Sequence, residues 1–93
     1  MAIQSFDCAE TQRFYLTGKS RRFRNIASVP ARKLDMLNAA VALADLRVPP
    51  GNRLEALRGK RAGQFSIRIN DQWRVCFVWI AAGPAGVEIV DYH

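Results

Sequence analysis

The sequence predicts an α+β domain, with two N-terminal helices packed on one face of a small, mostly antiparallel twisted sheet. Three observations carry that prediction. Leu34, Leu37, Val41 and Ala44 recur at helical spacing with Ala40 beside them, and this period is confined to the first half of the chain. Gln64 to Ile69 alternates strictly between polar and apolar residues. Asn70-Asp71-Gln72 then supplies a turn into the nearly continuous apolar run Trp73 to Ile80. Hairpin connections pair strands antiparallel, so helices cover one face and leave the other partly open.

Taken in order, Ile3 to Phe6 alternates and predicts a short strand. Asp7 with Glu10 three residues on has the form of a capping box, so a helix is predicted from about Cys8 to Thr17, anchored by Phe14, Tyr15 and Leu16 and ended by Gly18. Lys19 to Arg24 is a basic connection holding one aromatic, either a solvated loop or an RNA contact. Pro30 opens a second helix, predicted to run to Leu46 as scaffold. Pro49-Pro50-Gly51-Asn52 turns the chain. Arg53 to Leu57 is a possible short strand, and Arg58 to Gly63 a basic, glycine-bracketed loop. In the strand from Gln64 to Ile69, Phe65, Ile67 and Ile69 should face the core while Ser66 and Arg68 face away. Trp73, Phe77 and Trp79 share one face of the next strand and are expected in the core. Ala82 to Gly86 is predicted as a turn and Val87 to Val90 as the last strand.

Ninety-three residues suit one domain, residues 1–93. The formal net charge is +6 and the isoelectric point about 10.2, which favours an acidic partner. Eleven of the basic residues are Arg, whose planar fork matches phosphate, so nucleic acid leads. Cys8 and Cys76 lie far apart with no CxxC pair; reduced thiols are expected, with no metal and no cofactor. No charged segment leads into an apolar one at the N-terminus, and the longest apolar run, Val75 to Ala82, is too short to cross a bilayer. A cytoplasmic protein with no membrane partner is expected.

The chain ends in Asp91-Tyr92-His93, a carboxylate, a phenol and the only imidazole. An imidazole titrates near neutral pH and is the commonest general acid or base. The plainer alternatives are a frayed surface histidine, a solvated Asp91 and a core-packed Tyr92.

Leu-Glu-Ala-Leu-Arg-Gly at 54–59, Gly-Gln-Phe-Ser-Ile-Arg-Ile-Asn-Asp-Gln-Trp-Arg-Val-Cys-Phe at 63–77 and the final tripeptide resemble the HigB-type toxins of the RelE/ParE superfamily, from bacterial toxin–antitoxin systems. The resemblance covers nearly the whole chain. It implies an endoribonuclease that cuts messenger RNA in the ribosomal A site, held inactive by a HigA-like helix-turn-helix antitoxin, with operator DNA reached only through that antitoxin. RNA cleavage of this metal-independent kind needs a base for the 2′-hydroxyl proton, a cation for the phosphoryl oxygens and an acid for the departing 5′ oxygen. His93 can serve as base or acid. In ideal strand geometry Asp91 lies on its face, roughly 7 Å along the strand, and could orient it. Tyr92 would point the other way and stack on a base or donate a proton. Arg68 and Arg74 are the expected phosphate clamps, although Arg74 could instead pair with Glu88 or Asp91.

One departure matters. Some relatives carry a second His where this chain has Glu55, so the two-histidine mechanism does not carry over and Glu55 with His93 becomes the proton-transfer pair, or else Glu55 is simply solvent-exposed. Lys60 replaces an acidic residue often found after the glycine. The expected RNA-binding residues are Arg58, Lys60 and Arg61 with Lys19, Arg21, Arg22 and Arg24. Two other classes stay open: a non-catalytic ParE-like inhibitor of DNA gyrase, and a basic RNA-binding accessory domain.

Overall fold

The computed structural model describes residues 2–26 and 28–91. Two helices, α1 (Ala9–Thr17) and α2 (Ser28–Ala39), precede four strands: β1 (Glu55–Ala56), β2 (Phe65–Arg68), β3 (Trp73–Ile80) and β4 (Gly83–Asp91). The strands form one antiparallel sheet in the order β1-β2-β3-β4. α1 packs on β4, and α2 on β3 and β4. Among the described residues no helix is long and apolar enough to cross a membrane.

α1 ends as expected, with Gly18 left-handed at φ 73° and its N–H bonded to the Phe14 carbonyl. Its start differs: the N-cap is Cys8, and no side chain caps it. Asp7 is engaged elsewhere, its N–H on the Val87 carbonyl and its carboxylate against Gly86. Gly86 has φ 58°, a left-handed backbone that calls for glycine, and a Cβ there would sit tightly against Asp7 Oδ2 at 3.0 Å. Of the expected anchors Phe14 is buried, but Leu16 is exposed. The segment at Ile3 to Phe6 makes one parallel bridge, Phe6 with Val87, and lies along β4 rather than forming a longer strand.

α2 stops at Ala39, short of the predicted Leu46. Asp45 is the cause. Its Oδ2 accepts the N–H groups of Val41 and Ala42, both at 3.0 Å, which draws the chain off the helix and starts a 3₁₀ turn at Leu43–Arg47. Val41 is consequently exposed, although Leu34, Leu37, Ala40 and Leu46 are buried. The N–H of Ala42, with that of Val41, holds the Asp45 carboxyl below its ordinary range. A depressed carboxyl stabilises the fold above its unfolded value of about 3.9 and loses that contribution as pH falls through the folded value. Asp45→Ala is therefore expected to melt below wild type at neutral pH, with the gap closing below about pH 4. A pH-independent gap in melting curves would remove the carboxylate from this role.

The core joins Phe14, Phe23, Leu34, Leu37 and Leu46 to Ile67, Val75, Phe77, Val87 and Ile89. Phe23 meets Phe14 and Trp73 edge-on, with ring centroids 5.7 and 5.5 Å apart. It thereby pins the middle of the basic connection to the start of β3. Trp73 and Trp79 are partly buried against the core rather than within it. β4 begins at Gly83, inside the predicted turn, because pairing with β3 reaches Ile80 opposite Gly83. A register shift between Cys76 and Val78 absorbs Gly86.

Candidate active site

The register sets two rows of side chains across the face of the sheet away from the helices. In one, Glu55 lies opposite Ser66, Ser66 opposite Cys76, and Cys76 opposite Glu88. In the next, Arg68 lies opposite Arg74 and Arg74 opposite Val90. Paired residues share a face, so both arginine side chains leave the sheet on the same side. Like charges so placed repel unless each has an acid. Arg68 pairs with Asp71, and Arg74 lies 3.7 Å from Glu55 Oε1.

Arg74 is almost fully buried despite its charge. Its Nε donates to Ser66 Oγ at 2.7 Å and its Nη2 to the Arg53 carbonyl at 2.8 Å. Arg53 is left-handed at φ 45° and offers its carbonyl in that conformation. Arg74 thus ties the start of β1 to the middle of β2, which also fixes where Glu55 sits. The ion pair of Arg74 among the described residues is with Glu55, not with Glu88 or Asp91 as the sequence left open. Glu88 belongs to Arg61, whose Nη1 donates to Glu88 Oε1 and Gln64 Oε1, both at 3.0 Å. Between the two ion pairs Cys76 is fully buried, and burial pushes its thiol up, with Arg61 opposing. A protonated, covered thiol is inert filling.

The expected site residues divide into three places. Glu55, Arg68 and Arg74 come together on the polar face. Asp91 lies opposite Trp73, one residue past the Arg74–Val90 pair, so the pleat assigns it to the other face; its Oδ2 accepts from Gln72 Nε2 at 3.1 Å. Tyr92 and His93 lie outside the described residues.

Of the basic residues, Arg58 and Lys60 are exposed on the loop beside β1, while Arg61 turns inward to Glu88. Lys19, Arg21 and Arg24 line a hollow of about 690 Å³ with Arg13 and Glu10. The Ser20 hydroxyl beside them is buried with no hydrogen-bond partner among the described residues. Arg22 sits instead over Trp73, its guanidinium carbon 5.3 Å from the ring centroid. Among the described residues no three His, Cys, Asp or Glu side chains group closely enough to hold a metal ion.

Sequence reasoning missed Ser66 as the acceptor that seats Arg74. Its signal was present: Ser66 and Arg68 share a face two residues apart, with Arg74 across the hairpin. It also passed over Arg32 and Lys33 on α2, which stand beside Arg68.

The family model of the RelE-like toxin of the type II toxin–antitoxin system HigB matches residues 4–93. The chain is 45% identical over 71 residues to Toxin HigB-1 of Vibrio cholerae serotype O1, covering 74% of this chain and 75% of that protein. It is 29% identical over 73 residues to Endoribonuclease HigB of Proteus vulgaris, covering 72% and 79%. In fold it resembles a chain of the YoeB–YefM complex from Staphylococcus aureus, at TM-score 0.57 and 15% identity over 100% of this chain and 99% of that one. The chain belongs to the HigB-like family of RelE-like toxins of type II toxin–antitoxin systems.

Proposed function

We propose that this toxin is a ribosome-dependent endoribonuclease that cuts messenger RNA in the A site by metal-independent acid–base catalysis. The observation that supports it most is the opposed pair of Arg68 and Arg74 on the polar face, with Glu55 against Arg74. Two arginines on one face can clamp a phosphate, and the half-exposed Glu55 carboxylate beside Arg74 can take a proton from the ribose there. In the proposed reaction the 2′-oxygen attacks phosphorus and loses its proton to Glu55. The bond to the 5′ oxygen breaks as His93 protonates it, leaving a 2′,3′-cyclic phosphate and a 5′-hydroxyl. Arg68 and Arg74 stabilise the charge that gathers on the phosphoryl oxygens. Asp91 and Tyr92 assist from the strand end, and the exposed cations at Arg58, Lys60, Lys19, Arg21 and Arg24 hold the RNA backbone.

The proposed restraint is a HigA-like helix-turn-helix antitoxin, which would also carry the complex to operator DNA. The proposed compartment is the cytoplasm, where translation runs.

The test is a translation reaction with wild type and His93→Gln, with RNA ends mapped. New ends are expected with wild type, and about a hundredfold fewer with the variant. The burial of Arg74 favours one competing reading, a ParE-like protein that binds gyrase without catalysis. Equal growth arrest by both proteins with no new RNA ends would select that reading.

A further inference from the structure

We propose that Arg32 and Lys33 of α2 form, with Arg68, a second phosphate site that holds the RNA backbone beside the scissile linkage; it deepens the nuclease reading and rests on it. The three cations line a hollow of about 380 Å³ between α2, the turn around Pro49 and Gly51, and the end of β2. Among the described residues no acidic side chain lines it. Among the described residues no carboxylate lies within ion-pair distance of Arg32 or Lys33. Lys33 instead donates to the side-chain oxygen of buried Asn52, a neutral partner. The acid on Arg68 is Asp71, which is fully exposed and so easily exchanged for another anion.

Crowding reinforces the geometry. Burial, then the charges of Arg32 and Arg68, lowers the basicity of the Lys33 ammonium. An anion in the hollow would relieve both repulsions at once.

Nucleic acid fits better than an acidic peptide because Arg68 belongs to both places. Its Cα lies across the ladder from that of Arg74, at the roughly 5 Å of directly paired residues. A strand whose scissile phosphate is gripped at Arg74 therefore has Arg68 next to it and the α2 cations beyond. Regularly spaced phosphates on one backbone meet such a series without side-chain pockets.

The test uses the full chain and a 2′-O-methyl RNA hexanucleotide, which cannot be cleaved because its 2′-oxygen is blocked. Binding is followed by fluorescence anisotropy across a sodium chloride series. Arg32 is exposed, so Arg32→Gln should fold. It is expected to lower affinity about fivefold at low salt and to reduce the slope of log affinity against log salt by about 0.7, one phosphate contact on a single strand. Arg47→Gln removes the same charge from an exposed position outside the hollow and should leave the slope unchanged.

Equal effects of the two substitutions, or none from Arg32→Gln, would overturn the site. An equal loss of affinity for polyglutamate would overturn the RNA assignment and make the hollow a seat for an acidic polypeptide. Because the probe is not cut, the result is independent of cleavage: binding through Arg32 without RNA cleavage by wild type would keep this site and remove the nuclease reading.

Discussion

Arg74→Ala is expected to destabilise the domain by about 2–4 kcal/mol, measured by denaturant unfolding with the slope unchanged. The size follows from what the side chain leaves behind. Ser66 is fully buried and would lose the donor to its hydroxyl, and an orphaned buried polar group costs about 1–3 kcal/mol. The Arg53 carbonyl loses its donor too, so the left-handed residue before β1 is no longer held. Glu55 adds little, because its carboxylate is half exposed and solvent screens the pair. Against a total of about 5–15 kcal/mol for a domain, this is a large share. Arg74→Lys keeps the charge but cannot reproduce the two-point grip, and should recover less than half of the loss. If Ser66→Ala is made in the Arg74→Ala background, the second change should cost much less than it does alone. Additive costs would mean that the hydrogen bond does not hold the strands together.

Arg68→Ala should separate function from folding. The side chain is a third exposed, and its partner Asp71 lies wholly in solvent, so stability should change by no more than about 0.5 kcal/mol. Cleavage in the translation reaction should fall about a hundredfold, as expected for a cation that stabilises the charge developing on the phosphoryl oxygens in the transition state. Normal cleavage by folded Arg68→Ala would remove this arginine from the mechanism, and with it the link to the hollow at Arg32 and Lys33.

These two arginines also show what was legible in the sequence. The strict alternation from Gln64 to Ile69, the Asn70-Asp71-Gln72 turn and the apolar run to Ile80 determine a hairpin whose register makes Arg68 and Arg74 neighbours. Local order was enough for that. The partners of Arg74 were not legible, since Ser66, Arg53 and Glu55 meet it only once three strands are assembled. The same holds for Arg61, read as a loop cation but turned onto Glu88 from a residue 27 positions away. α2 ended early because one carboxylate, Asp45, captured two N–H groups beyond the helix, a local bond that apolar periodicity does not register. β4 began early because pairing with β3 overrode a Gly- and Pro-rich composition that reads as turn. For Asp91 a single step of register decides the face, placing it opposite Trp73 and not beside the arginines. It therefore sits at the rim of the sheet, where Gln72 bonds it.

The chemistry of the cut ends tests the proposed catalysis most directly. Messenger RNA from a translation reaction containing the wild-type toxin should carry 2′,3′-cyclic phosphate or its 3′-phosphate product on the upstream fragment and a 5′-hydroxyl on the downstream one. Fragments with a 3′-hydroxyl and a 5′-phosphate would contradict it, because water and not the ribose oxygen would then have attacked the phosphorus.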